Sequence, residues 1–442
     1  MSIVDQTFRL TSLRLLNYRR FEQFFIEFDE QLTVLAANNG CGKTAILDAA
    51  AVALSSLVAE LDKSKARGFW PTDVRLKKVA MGQTIRALPT QLDAVGKVGD
   101  RELTWTLKLE RDRTSFAGTK PISKYATGLR DQLLAPRRPA LPVIAYYGTG
   151  RLWSENRGTQ KRKATSKNLA DATGAYLDCL GSASNYKQFV EWFERIVREA
   201  QDEKETGQKS PHRPAELLIA VRKAADHVLA PVGWHTLSWG HLEHEVMATH
   251  DERGRLPVSL LSDGVRNLLG IVADLAHRCV RLNPQFGSEA CVYTSGVVLI
   301  DEIDMHLHPQ WQQTVVQSLI DAFPKVQFIL STHSPQVLST VDAKCIRIIS
   351  DDGSVSRPHA QTKGTLSSDV LLDVMAVNPE PDLPETKLLA TYQTMIQVGD
   401  GTSAKANEIR TQLVQHYGAE HPVVLDCDRM IRMFTRRAAI AG

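Results

Sequence analysis

The chain has 442 residues, with 53 Lys and Arg against 50 Asp and Glu, for a net charge of +3. That length exceeds one ordinary domain and favours about two or three, while 43% hydrophobic residues suffice for a full core and exclude global disorder. The near-balance of charge excludes a large electrostatic field as a nucleic-acid footprint, so any such site must be a local patch.

Residues 1–60 begin with a polar N-terminus and two strand-like stretches, Phe24–Phe28 and Leu32–Ala36. The second breaks at Ala37-Asn-Asn-Gly-Cys-Gly-Lys-Thr44 and opens into the helical run Ala45–Leu54. Strand, glycine turn and helix start in that order make a phosphate cradle. Backbone N–H groups of the turn, from Asn39 through Gly40 to Gly42, point inward, and the helix N-terminus adds partial positive charge. Lys43 then reaches the β- and γ-phosphates of ATP, and the Thr44 hydroxyl binds Mg²⁺. The pattern asks for Gly at position 37; alanine resists a positive φ, so the loop is expected to differ locally at Ala37.

Basic residues mix with Gly and Pro from Lys63 to Lys78, interrupted by the aromatic pair Phe69-Trp70. Gln83–Val95 and Glu102–Glu110 read as an antiparallel strand pair. Leu141–Tyr147 is a buried strand followed by a glycine turn and Arg151, a residue suited to a phosphate, to another subunit, or to plain solvent. Downstream, Arg151, Arg157, Lys161, Arg162, Lys163 and Lys167 lie among Gly and Ser, a mobile loop open to nucleic-acid contact or simply solvated. Two helical patterns follow in residues 184–229, one carrying Tyr186, Phe189, Trp192, Phe193 and Ile196 on one face and the other Leu217, Leu218, Val221 and Ala225. Strands at Trp234–Trp239 and Leu242–Ala248 lead to Leu260-Leu-Ser-Asp-Gly264. There Ser262 and Gly264 open a long apolar-faced helix, a second phosphate-binding N-terminus or a plain helix cap.

Val297–Ile300 is four apolar residues of a buried parallel strand, ending in Asp301-Glu302. Asp301 would hold Mg²⁺ and Glu302 would polarise the attacking water. A third strand, Val326–Ser331, runs into Thr332-His333, where His333 can sense a γ-phosphate. His306 and His308 beside Asp304 tempt a zinc reading, but they sit on the turn after the acidic pair.

These motifs in this order resemble the ABC-type ATPase head shared by the RecF, SMC and Rad50 group. The matches are Walker A at Ala37–Thr44, the signature at Leu261–Val265, Walker B at Val297–Glu302, a D-loop around Ile303–His308, and the switch His333. The resemblance also implies that Arg20 or Arg19 approaches the adenine and α-phosphate, and that a metal- and water-sensing loop supplies a residue near Asp73 or Gln83. In such heads two subunits sandwich two ATP molecules, so Ser262 of one would meet the γ-phosphate held by Lys43 of the other. A homodimer or higher homo-oligomer is implied. The fold expected is α/β, an ABC-type P-loop ATPase head with a mixed β-sheet core, a helical insertion and a helical C-terminal module. The boundaries are 1–150 and 256–360 for the two parts of the head, 151–255 for the basic loop and insertion, and 361–442 for the module. Heptads are not sustained, which excludes the long coiled coils of SMC and Rad50.

The module reads as helices at Ser368–Met375, Glu385–Gln397, Lys405–Tyr417 and Val423–Arg436. Asp426 and Asp428 sit on a helical pattern rather than on a strand, which disfavours a fused TOPRIM nuclease. Leu366–Val377 and Pro142–Trp153 are similar to the ATPases of Septu-type bacterial anti-phage systems and of some retrons. That family implies a cytoplasmic ATPase controlling an HNH nuclease encoded beside it, with nucleic acid met through the complex. A RecF-like repair ATPase and a nucleotide-dependent scaffold that scarcely hydrolyses ATP are the alternatives. Six scattered cysteines without C-x-x-C suit reduced cytosolic thiols, and no stretch approaches 18 consecutive apolar residues, so neither a signal peptide nor a membrane span is expected.

Overall fold

Runs without a single exposed position mark the parallel strands of the central sheet, and alternating runs mark a second, antiparallel sheet. The computed structural model describes residues 7–78, 83–133, 138–151, 173–181, 186–208, 210 and 213–441. The basic segment Arg157–Lys167 lies outside them.

β1 (Phe8–Tyr18) and β2 (Phe21–Glu27) alternate buried and exposed residues and pair antiparallel, with Tyr18 opposite Phe21. β3 (Leu32–Ala36) is buried at every position and feeds α1 (Lys43–Asp62). α1 is apolar around nearly its whole circumference, as a helix enclosed on all sides must be. Among the described residues it alone is long and apolar enough to cross a membrane by length and composition, and 78% of that window is buried inside the fold. The exposed ribbon β4 (Leu76–Lys78) and β5 (Thr84–Arg86) follows. The strand expected over Gln83–Val95 is broken after Ala87, because Pro89 has no N–H to extend a ladder. Its second part is β6 (Thr90–Val98), which joins β7 (Arg101–Leu109) and β8 (Thr114–Ser115) in a five-stranded sheet ordered β2-β1-β6-β7-β8. The Trp105 indole on β7 donates to the Ala53 carbonyl at 2.9 Å, tying this sheet to α1. α2 (Lys120–Gln132) packs on the same helix.

β9 (Val143–Tyr147) returns to the central sheet. α3 (Tyr186–Thr206) buries Tyr186, Phe189, Trp192, Phe193 and Ile196, and α4 (Pro214–Leu229) buries Leu217, Leu218, Val221 and Ala225. A three-stranded sheet of β10 (Trp234–Gly240), β11 (Glu245–His250) and β12 (Gly254–Pro257) comes next. Both α3 and α4 pack on α5 (Asp263–Leu282), so the insertion shares the head's own core. β13 (Gly296–Ile300), α6 (Val315–Ala322), β14 (Val326–Thr332), β15 (Ile346–Ile349) and β16 (Val355–Ser356) complete the central sheet. Its order is β16-β15-β3-β14-β13-β9, parallel except for the edge strand β16.

α7 (Ser367–Asp373) buries Val370 in the head core, and the first compact unit runs to Met375. The second unit, Ala376–Gly442, contains α8 (Pro384–Gln397), α9 (Ala404–Tyr417) and α10 (Pro422–Ala441). They close over a small core of Tyr392, Ile396, Ala406, Ile409, Leu413 and Cys427. Asp428 takes a double hydrogen bond from Arg410, and Asp426 pairs with Arg429, so both members of that Asp-x-Asp pair are committed to ion pairs.

Candidate active site

The parallel strands β3, β14, β13 and β9 deliver their carboxyl ends to one edge, where ligands of such sheets bind. After β3 the chain turns through Ala37–Gly42, with Gly40 at φ +79° and Gly42 at φ +98°. A Cβ on Gly42 would come within 2.6 Å of the Phe21 ring, whereas one on Gly40 would meet nothing within 4 Å. Gly42 is thus required by conformation and by room, while the apex at Gly40 stays open. Ala37 is not among the residues of positive φ, so its side chain is unstrained there.

Lys43 is buried, and its Nζ donates to the carbonyls of Ala37 (2.8 Å) and Asn38 (3.4 Å). Burial lowers its pKa, against the opposing charges of Asp301, Glu302 and Asp304. The Thr44 hydroxyl donates to Asp301 Oδ2 at 2.7 Å. Asp301 is buried at the end of β13; its N–H donates to the Tyr147 carbonyl (2.8 Å), and its Oδ1 accepts from the Ser331 hydroxyl (2.5 Å). Glu302 follows at φ +48°, with its N–H donating to Ser331 Oγ at 2.8 Å. Asp304 accepts from the Thr332 hydroxyl (2.5 Å) and from the His333 N–H (3.3 Å). Burial and the Lys43 charge lower the His333 pKa below its ordinary 6.5, so the ring is neutral at pH 7. Lys43, Thr44, Asp301, Glu302, Asp304 and His333 therefore form one electrostatic neighbourhood.

The two candidate arginines separate cleanly. Arg19 is held by Asp48 (2.7 Å) and Asp73 (2.9 Å) inside the fold. Arg20 is exposed and donates to the carbonyls of Gly40 and Asp351, clasping the loop apex. Asp73 is a fully buried hub for Tyr18, Arg19 and the Trp70 N–H, and Gln83 is exposed at the start of the β5 ribbon. Neither lies at the end of a central strand. The sequence shows β9 as a buried strand but not its place in the sheet. It pairs in parallel register with β13, Tyr147 opposite Ile300, so the turn Thr149–Arg151 leaves the sheet beside Asp301. The signal was present in the apolar run before Gly148, but its neighbour strand is not readable from sequence.

Ser262 is exposed at the N-cap of α5 and makes no side-chain cap bond. Gly264 is buried, and a Cβ there would lie 2.3 Å from the His306 carbonyl oxygen. The Asn267 amide donates to the Met305 carbonyl at 3.2 Å. The glycine of the signature is therefore explained by close approach of the D-loop of its own chain. His308 Nδ1 accepts from the Gln310 N–H at 3.3 Å and caps the next turn of helix.

Fold and site together define an ABC-type P-loop ATPase. Residues 12–213 match a family model described as "AAA domain", and residues 181–339 match one described as "AAA domain, putative AbiEii toxin, Type IV TA system". The chain is 26% identical to the Retron Ec83 probable ATPase of Escherichia coli, over 95% of its own length and 85% of that protein. It is 43% identical to the Septu protein PtuA of Bacillus mycoides over 17% of its length and 10% of that protein, which bears out the resemblance to Septu ATPases. Among solved structures, an SMC head bound to the C-terminal winged-helix domain of ScpA aligns with 80% of this chain and 98% of that one, at 15% identity and a TM-score of 0.48. The protein is an ATPase similar along nearly its whole length to probable retron ATPases, and over a short stretch to a Septu protein.

Proposed function

We propose that this chain is the ATP-hydrolysing regulatory subunit of an anti-phage complex, acting on a partner HNH nuclease of the PtuB kind. The observation that carries the reading is the 2.7 Å approach of Thr44 Oγ1 to Asp301 Oδ2 beneath an open glycine cradle. Adjacent ligands of an octahedral Mg²⁺ with bonds of 2.0–2.1 Å lie about 2.9 Å apart, so this oxygen pair fits that ion. Bound Mg²⁺ would neutralise phosphate charge. Asn39, Gly40 and Gly42 supply loop N–H groups, Lys43 the cation, Arg20 the contact at the loop apex, and Thr149 the third side of the site. Glu302 orients the attacking water, and neutral His333 donates a hydrogen bond to the γ-phosphate.

One cradle and one signature per chain, with an exposed Ser262, support at least a homodimer in which Ser262 and Gly264 of one copy complete the site of the other. The ion-paired Asp426 and Asp428 leave cutting to a partner, for which the second unit is the docking module. The test is a pair of variants in the native operon. Lys43→Ala is expected to abolish ATP binding. Glu302→Gln is expected to bind ATP but to hydrolyse it about 10²-fold more slowly or worse, and both should lose phage protection. Full protection by Glu302→Gln would instead support the scaffold reading. An HNH nuclease should co-purify in fixed ratio; repair proteins in its place would favour a RecF-like role.

A further inference from the structure

β14 is a buried parallel strand, Val326–Thr332, in which an apolar residue is the ordinary occupant of every place. Ser331 departs from that rule. It is fully buried, and its hydroxyl is used in both directions: it donates to Asp301 Oδ1 at 2.5 Å and accepts from the Glu302 N–H at 2.8 Å. The Ser331 carbonyl also accepts from the Ile303 N–H at 3.0 Å. A buried hydroxyl with its proton and a lone pair both committed has one orientation. It therefore selects which oxygen of Asp301 faces Thr44, namely Oδ2. It also supports the backbone at Glu302, whose φ of +48° is unusual for a residue with a side chain.

We propose that Ser331 is a positioning residue of the hydrolytic site, setting the rotamer of the metal-binding Asp301 and the backbone pose of Glu302 through one hydroxyl. The inference rests on Asp301 and Glu302 being the carboxylates of that site. Thr332, the next residue, bonds Asp304 instead, so among the hydroxyls at the end of β14 only Ser331 joins the two. The design is that of an outer partner orienting a metal ligand, where removal commonly costs about 10- to 100-fold in activity or metal affinity.

The test uses the full-length protein and compares wild type, Ser331→Ala, Ser331→Thr, Glu302→Gln and the double variant Ser331→Ala/Glu302→Gln. Rates of ATP hydrolysis are measured against ATP and Mg²⁺ separately, with binding of a fluorescent ATP analogue in the absence of Mg²⁺. Ser331→Ala is expected to lower kcat about 10- to 100-fold and to raise the half-saturating Mg²⁺ concentration, with metal-free analogue binding unchanged. Ser331→Thr keeps the hydroxyl and should restore most of the rate. In the Glu302→Gln background, Ser331→Ala should cost little more, because residues acting as a unit are not additive. A wild-type rate and Mg²⁺ dependence in Ser331→Ala, alongside a crippled Glu302→Gln, overturns the role of Ser331 and leaves the site assignment standing. A wild-type rate in Glu302→Gln removes the site assignment and this inference with it. If Ser331→Ala does not fold, Ser331→Cys, with its weaker donor, takes its place, and a wild-type rate there is equally fatal.

Discussion

Replacing Gly264 by alanine sets two calculable effects against each other. In a helix interior Ala is favoured over Gly by about 1 kcal/mol, an upper bound for Gly264 in the first turn of α5, and Gly264 has no positive φ to forbid it. The added Cβ would, however, stand 2.3 Å from the His306 carbonyl oxygen and 3.2 Å from its carbon, both backbone atoms that no rotamer change can move. Ordinary carbon–oxygen contact is near 3.3 Å, so about 1 Å must open between α5 and the D-loop. Overpacking of this kind costs about 1–3 kcal/mol, which makes the net change about 0–2 kcal/mol destabilising. The larger effect is on catalysis, because the displaced loop carries Asp304, which holds the His333 N–H and the Thr332 hydroxyl. A misplacement of about 1 Å can cost about 10²-fold in rate. Urea denaturation and steady-state ATPase on Gly264→Ala are the assays, with nucleotide-analogue binding expected to stay intact. A variant about 1 kcal/mol more stable than wild type, with unchanged kcat, would refute the argument.

Further outcomes follow from the buried charges and the second unit. Asp274→Ala leaves Arg278 buried without its 2.7 Å partner and should cost about 3–5 kcal/mol in chemical denaturation; adding Arg278→Met should recover most of it. His277 is fully buried, with its ring centroid 4.8 Å from that of Trp192, and burial and neighbouring arginines push its pKa well below 6.5. The unfolded chain then binds a proton that the folded chain refuses, so stability falls as pH drops below 6.5, by up to about 1.4 kcal/mol per pH unit. His277→Phe should flatten that slope in urea titrations between pH 6.5 and 5. A chain ending at Met375 should keep nucleotide binding, since the first unit has its own core, but should lose the co-purifying nuclease. Loss of nucleotide binding in that truncation would count against the docking-module assignment.

Local chemistry was legible in the sequence; pairing across the chain was not. The glycine turn before Lys43 and the apolar run before Asp301 announced themselves, because a phosphate cradle and a buried parallel strand each need a short contiguous pattern. Whether a water-sensing loop lies near Asp73 is decided by packing that no contiguous pattern carries. Asp73 looks functional in sequence as an acid among basic and aromatic residues, yet those neighbours consume it, and β9, placed beside β13 by a pairing across more than 140 residues, carries the turn that adjoins Asp301. Gly264 shows a subtler limit: its motif was readable, but the D-loop backbone it accommodates sits about 40 residues downstream.

Tyr147 ties the start of the Asp301-Glu302 segment to α5 within one chain. Its carbonyl accepts from the Asp301 N–H at 2.8 Å, and its hydroxyl donates to Asp274 Oδ2 on α5 at 2.7 Å. Arg278, one turn further along α5, donates to the same Asp274 oxygen. Nearer the start of α5, Gly264 meets His306 and Asn267 holds Met305. The helix is thus fixed to the Walker B region at three successive levels, leaving the exposed Ser262 at its free end. In the proposed dimer that end would meet the partner's nucleotide, so filling one site would be felt through this helix at Asp301 and Glu302 of the other chain. Coupling free energy is reciprocal, so nucleotide binding at the two sites should be cooperative, and cutting the link at Tyr147→Phe should reduce the Hill coefficient toward one while each site still binds.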